Sequence, residues 1–244
     1  MLKRAFAPLV VCAFLGSASA WAAPIILDDF ESGEGHFAST VTFSGTNRNL
    51  TGGTADQSTA TAAQAGTGSE LLGLNPLNPG TSVDFPVDTF RLRFLSGGGT
   101  PANNVNFGAN GYIGYFLKTT VPNLTTAIAL DDGAALELGT FRNVNSDGAW
   151  HLYQWNLNAA SGEFSGFAGT GPNGKIDGPT VTIDSIFIQG PVASAPTPLA
   201  ISLDTVASNA TGDLVSLVPE PGSLGLAGAA IAIATLRRAT RKPE

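Results

Sequence analysis

The sequence predicts an all-β fold: a two-sheet antiparallel β-sandwich flanked by an N-terminal signal helix and a short C-terminal transmembrane helix. Three observations predict it. From residue 24 to about 209 the chain is a series of short apolar or alternating runs broken by Gly, Asn, Asp, Ser and Pro, the pattern of strands and turns. No stretch there carries a helical period of useful length, and there is no internal repeat. The two ends differ from this body, each placing an apolar segment beside basic residues.

The N-terminus has the build of a secretory signal. Lys3 and Arg4 form its charged start, residues 5–15 its apolar core, and SASAWAA (17–23) supplies small residues for signal peptidase,. The signal is therefore assigned to 1–23. The chain's one cysteine, Cys12, lies inside it. With Val11 before it and so early a position, it does not make a lipoprotein site. The mature protein is expected to reach an oxidising compartment without disulfides, so that stability rests on core burial.

The chain has 244 residues, 30 of them Gly and 15 Pro, with a formal net charge of −7. That figure understates the acidity of the body. Six of the basic residues lie between the two ends (Arg48, Arg91, Arg93, Lys118, Arg142 and Lys175), against all the acids except Glu220 and Glu244. An acidic, Lys-poor body argues against nucleic acid, whose phosphates need a basic footprint. Once both ends are removed, roughly 195 residues remain, ample for one β domain with a buried core; it is placed at 24–207.

In order, IILDDF (25–30) is the first predicted strand and 36–43 alternates as a second. Residues 46–68, rich in Thr, Ala, Gly and Gln, hold a weak strand or a surface loop. SELLGL (69–74) and TFRLRFL (89–95) follow; in the latter Phe90, Leu92 and Phe94 share one face, Arg91 and Arg93 the other,. After a loop at 96–111 come YIGYFLK (112–118), LTTAIALDD (124–132), LELGTFRNV (136–144) and AWHLYQWNL (149–157). The last two are expected to form a hairpin through Asn145-Ser146-Asp147-Gly148. A glycine-rich stretch (161–178) leads to VTIDSIFIQ (181–189), and PLAISLDTV (198–206) closes the domain. About ten strands of this size suit a sandwich, with the first and last strands side by side. Residues 208–217 are read as a linker.

The last stretch, 218–244, has three parts: Pro219-Glu220-Pro221 after Val218, an apolar run at 224–236, and the basic residues Arg237, Arg238, Arg241 and Lys242. Proline fixes φ and disfavours helix just before it, which keeps the tripeptide extended. A run of about 13 residues spans roughly 20 Å as a helix, short of a bilayer core of about 30 Å, and suits transient insertion rather than permanent anchorage. Val218, Pro219, Glu220, Pro221, Arg237 and Arg238 resemble a PEP-CTERM sorting signal. The resemblance implies export, presentation of the tail to exosortase with transient membrane contact, and display at the cell surface, outer envelope or extracellular matrix of a Gram-negative bacterium.

A second resemblance spans the body. A first strand ending LDDFE, the Trp-bearing AWHLYQWNL and the closing ISLDTV resemble a galactose-binding-like jelly roll, a fold common among non-catalytic carbohydrate-binding modules. It implies a structural calcium between first and last strands, held here by Glu31, with Asp28 or Asp29, and by Asp204. Carboxylates and backbone carbonyls are the oxygen ligands calcium takes. The relatives' second aspartate is replaced by Thr205.

For a sugar, the aromatic strand is the best candidate. Its period puts His151, Tyr153, Trp155 and Leu157 on one face and Trp150, Leu152, Gln154 and Asn156 on the other; one set must be core. Trp150, Tyr153, Gln154 and Trp155 are the candidate ligand-binding residues, a ring for stacking beside groups that bond hydroxyls. Burial of both tryptophans in the core is the competing reading, and Tyr112 and Tyr115 share that ambiguity. No catalytic residues are assigned. Only His36 and His151 are available, there is no G-x-S-x-G elbow, and Asp131-Asp132-Gly133 reads as a turn rather than part of an acid pair with Glu137. The sequence thus describes an exported, non-enzymatic surface or matrix protein that binds or organises exopolysaccharide, with an adhesive module with protein partners as the alternative and a secreted glycan-active enzyme as the third reading.

Overall fold

The computed structural model describes residues 23–41, 47–59, 63–76, 86, 88–133, 135–158, 160, 162–192 and 198–218. Alternation builds thirteen strands: β1 (Ile25–Asp28), β2 (Leu50–Ser58), β3 (Ser69–Pro76), β4 (Thr89–Leu95), β5 (Asn106–Gly108), β6 (Tyr112–Thr119), β7 (Thr125–Asp131), β8 (Ala135–Gly139), β9 (Arg142–Asn143), β10 (His151–Asn156), β11 (Phe164–Gly169), β12 (Thr180–Pro191) and β13 (Leu199–Asn209). They form two antiparallel sheets. The first runs β10-β6-β13-β3-β2, with β1 also on β13; the second runs β11-β8-β7-β12-β4, with β5 on β12 and β9 on β7.

Period two sorts each strand between core and outside. In β4, Phe90, Leu92 and Phe94 are fully buried while Arg91 and Arg93 point away. Across the sandwich they meet the inward residues of the first sheet, among them Leu72, Leu74, Ile113, Tyr115, Trp155, Ile201 and Leu203. The first and last strands pair, Ile25 opposite Ser208 and Ile26 opposite Ala207. β13 is bordered on one side by β6 and on the other by β3 and then β1, the change falling at a bulge between Asp204 and Ala207.

The two flanking helices of the expected fold class need correction. The described residues hold no α-helix; their short 3-10 turns include Gly97–Gly99, Pro101–Asn103 and Val215–Leu217. Among them no helix is long and apolar enough to cross a membrane. The stretches on which the signal helix and the transmembrane helix were placed, 1–22 and 219–244, lie outside the described residues. A transmembrane helix and the membrane contact it would make are therefore not carried forward.

Three expectations inside the body also change. The alternation at 36–43 does not make a strand: within its described part only Phe37 forms a bridge, to Ser96. Its apolar residues plug the core instead, Phe37 stacking on Phe94 with centroids 5.2 Å apart. The run 136–144 is two strands, β8 and β9, interrupted at Thr140 and Phe141. The expected hairpin through residues 145–148 is a crossover, since β9 pairs with β7 in one sheet and β10 with β6 in the other. Asp147 accepts the N–H of Ala149, and Gly148, at φ 75°, donates to Thr119, so the turn chemistry is real but serves a change of sheet. The weak strand allowed within 46–68 is β2, and the glycine-rich stretch carries β11.

At the C-terminal end β13 continues to Asn209, and Leu214 is fully buried. The amide of Gln64 donates to the carbonyl of Leu217 at 2.8 Å. The chain thus stays packed against the sandwich through the residues read as a linker.

Candidate functional site

Where β1 takes over from β3 beside β13, two of the expected metal ligands, Asp204 and Glu31, hold the two ends of one segment, 63–68. Thr205 sits in the bulge at φ 47°, an unusual conformation for a β-branched residue. Asp204 is fully buried. Its Oδ2 accepts the N–H groups of Gln64 (2.7 Å) and Ala65 (3.3 Å), and its Oδ1 the N–H (2.6 Å) and the hydroxyl O–H (3.3 Å) of Thr205. Burial nevertheless pushes its pKa up to about 6,. Glu31 is exposed and grips the other end of the segment. It accepts N–H groups of Gly68 and Thr67, each at 2.8 Å, and the Thr67 hydroxyl. Those donors, Gly68 first, hold its carboxyl below the usual range.

Asp28 is buried and accepts N–H groups of Phe30 (3.1 Å) and His36 (2.6 Å), with His36 Nδ1 at 3.2 Å. Asp29 is exposed and accepts the N–H of Glu31 at 3.2 Å. Among the described residues no group of three or more His, Cys, Asp or Glu side chains is placed to hold a metal ion. Calcium needs six to eight oxygens, whereas here N–H donors face the carboxylates, so an ion would have to displace them. Melting curves in calcium and in chelator measure this directly. If a structural ion is held here, chelator should lower the melting temperature; coincident curves would rule out a tightly bound ion.

β10, an edge strand, separates the four candidate sugar-binding residues. Trp155 and Tyr153 face the core. Trp155 is fully buried, its indole Nε1 donating to the Thr140 carbonyl at 2.9 Å and its ring tilted against Tyr115 with centroids 5.4 Å apart. The Tyr153 hydroxyl accepts the N–H of Asn145 at 2.9 Å, and desolvation raises its pKa. Trp150 and Gln154 are on the outer face. Trp150 is half-buried beneath the Lys118 ammonium, 5.8 Å from its ring centre. The Gln154 Oε1 accepts the N–H of Leu214 at 2.8 Å. Tyr115 is buried, its hydroxyl bonded to Thr126 at 2.6 Å.

Beside Gln154 is a shallow pocket of about 300 Å³ lined by Tyr112, Arg142, Leu152, Gln154 and Glu163. Arg142, from β9, crosses to the β10 edge, where its Nε donates to the Gln154 carbonyl (3.1 Å) and its guanidinium pairs with Glu163 (2.9 Å). Glu163 also accepts the N–H of Asn156 at 2.8 Å, and the Asn156 amide donates to the Tyr112 hydroxyl at 3.2 Å. The result is a polar wall beside an aromatic ring, suited to hydroxyl-rich ligands. Sequence reasoning passed over Arg142 and Glu163, which lie on separate segments and carry no motif.

The groups weighed for catalysis are engaged in structure. Asp131 and Asp132 accept N–H groups of Gly133 and Ala135, and buried Glu137 accepts those of Asn173 and Gly174. His151 pairs with Asp147 at 2.8 Å and with Asn145.

Known proteins resemble this chain at its two scales. The PEP-CTERM protein-sorting motif matches residues 217–242. The matched range contains Val218, Pro219, Glu220, Pro221, Arg237 and Arg238, all but Val218 outside the described residues. No curated protein matches the chain. Among solved structures, the chain is similar to TmCBM61 in complex with beta-1,4-galactotriose. Identity is 11%, with 64% of this chain and 81% of the other covered, at a TM-score of 0.37. A likeness that remote carries no argument for this chain.

Proposed function

We propose that this is an exported, non-catalytic cell-surface or matrix protein, processed by an exosortase at its C-terminal motif, whose β-sandwich binds or organises exopolysaccharide. The observation that carries the reading is the sorting motif at 217–242. Its first residues are described: Val215–Leu217 forms a 3-10 turn, the Val218 N–H closing on the Val215 carbonyl at 3.0 Å. The sandwich supports the ligand half through the β10 pocket, with the Tyr112 ring and the polar groups of Gln154, Arg142 and Glu163 at one edge.

Two measurements test the two halves. The intact mass of the mature protein recovered from cells should show residues 1 to about 23 and the tail beyond the PEP tripeptide removed. A mass retaining 222–244 would refute exosortase processing. The soluble domain should be retarded in gels cast with at least one polysaccharide, and Tyr112→Ala should weaken that retardation with the melting temperature kept. Uniform non-binding by folded protein would leave a surface module built on protein contacts.

A further inference from the structure

The outer face of the second sheet carries a row of uncharged polar side chains set by strand register. Asn143 on β9 lies opposite Thr125 on β7, and Thr125 opposite Gln189 on β12. Directly opposed residues of an antiparallel pair project on the same side. That side is the outer one, because their neighbours Thr126 and Ile188 are buried between the sheets, Thr126 bonded to Tyr115. With strands about 4.8 Å apart, the three side chains form a line of roughly 10 Å. Asn143 is exposed, Thr125 and Gln189 half-buried. Among the described residues no hydrogen bond engages the side chains of these three or of Asn123. Arg91, the next residue across, is laid over the Phe187 ring at 5.9 Å.

Two clefts flank the row. One, of about 440 Å³, lies against Thr125 and Gln189; the other, of about 470 Å³, lies against Asn143. Asn123 borders both, from the turn before β7 at φ 59°, a conformation asparagine tolerates better than most residues. Of the residues lining the two clefts, only Asp88 is charged. Beside the polar row is an aromatic one. Phe187 lies opposite Ala127, two residues along from Thr125, and Phe141 meets Phe187 edge-on with centroids 6.4 Å apart. Phe141 is 39% exposed, the one aromatic among the exposed large hydrophobic residues described.

A solvated sheet face needs no alignment with a ring, and lysine or glutamate would serve it as well. Amides and a hydroxyl both donate and accept, as sugar hydroxyls do, and an exposed ring offers a flat apolar surface to the C–H face of a pyranose. A protein partner would instead meet a polar centre where interfaces place their apolar core. We infer that this face is a glycan-binding site separate from the β10 pocket. It takes a neutral polysaccharide along Asn143, Thr125 and Gln189, with Phe141 stacked on one sugar. Asp88 and the acidic body repel a uronic acid polymer. The inference rests on the proposed polysaccharide-binding function and adds to it a second site, on the other sheet, and the charge of its ligand.

Affinity electrophoresis of the soluble domain tests the inference, with a β-glucan, hydroxyethyl cellulose and a galactan as neutral polymers and polygalacturonate as the acidic one. At least one neutral polymer should retard the protein, and equally in roughly 0.05 and 0.5 M salt, since no ion pair is involved. Thr125→Val with Gln189→Ala should weaken that retardation about tenfold, the effect of losing two hydrogen-bonding groups. Phe141→Ala should weaken it several-fold, each variant with its melting curve checked. Should the double variant fail to fold, Phe141→Ala and Asn143→Ala, both at exposed positions, still decide. Retardation that these substitutions leave unchanged and Tyr112→Ala removes would overturn the inference and leave the proposed function standing at the β10 pocket. Retardation by polygalacturonate alone would likewise overturn it while that function stands; retardation by none of the four polymers would remove both.

Discussion

Glu70→Gln is expected to stabilise the protein at pH 8 and above and to remove most of its loss of stability between about pH 6 and 8. β3 places Glu70 on the same face as Leu72 and Leu74, toward the core. It is fully buried, and neither carboxyl oxygen has a hydrogen-bond partner among the described residues. Burial first, then the charges of Glu34, Asp56 and Asp28, raise its pKa to about 8,. Asp28 is itself bonded to His36.

The sign follows from where the proton is held. Below its ordinary value near 4.5 the carboxyl is protonated in both folded and unfolded chains. Between there and about 8 the unfolded chain releases the proton while the folded one keeps it, so stability falls as pH rises, by up to about 1.4 kcal/mol per pH unit,. Asp204 acts in the same direction, but its window closes near 6. The interval above 6 therefore separates Glu70 from Asp204. An amide has no charge to desolvate, so urea unfolding at several pH values should separate the two proteins by a few kcal/mol at pH 8 and bring them together near pH 4. Parallel curves at all pH values would show that Glu70 finds a partner or water in solution.

The same strand shows how much of the fold was legible. Alternation in SELLGL and TFRLRFL fixes which side chains go inward, because period two is a local property, and the buried sets of β3 and β4 follow it. That alternation already put Glu70 beside Leu72 and Leu74. Sheet membership was not legible. Asp147-Gly148 signals a turn, yet whether the next strand returns beside its predecessor depends on β6 being free to pair with β10. Phe37, Ala38 and Val41 mimic a strand because a plug over a sandwich end needs apolar residues too. The β10 pocket was half legible. Gln154 stands in a strand with an obvious period, whereas Arg142 and Glu163 reach it only once the two sheets are stacked.

Trp155→Ala should cost about 3–5 kcal/mol of stability, the range for deleting a large buried aromatic, and should leave a protein that melts far below wild type or does not fold. Its ring fills space between the sheets against Tyr115, lies so near Gly139 that a Cβ there would collide with the indole, and has the Arg142 guanidinium 5.6 Å from its centre. Truncation would leave a cavity and an unanswered Thr140 carbonyl together,. Trp150→Ala, on the outer face with Leu152 and Gln154, removes a half-buried ring and its contact with Lys118, and should cost no more than about 1–2 kcal/mol. The pair separates packing from recognition along one strand. Glycan binding lost in folded Trp150→Ala would place the sugar on the outer face of β10, alongside Gln154. A Trp155→Ala protein that melts like wild type would mean that the indole is not between the sheets, and the assignment of Tyr153 and Trp155 to the core would fall with it.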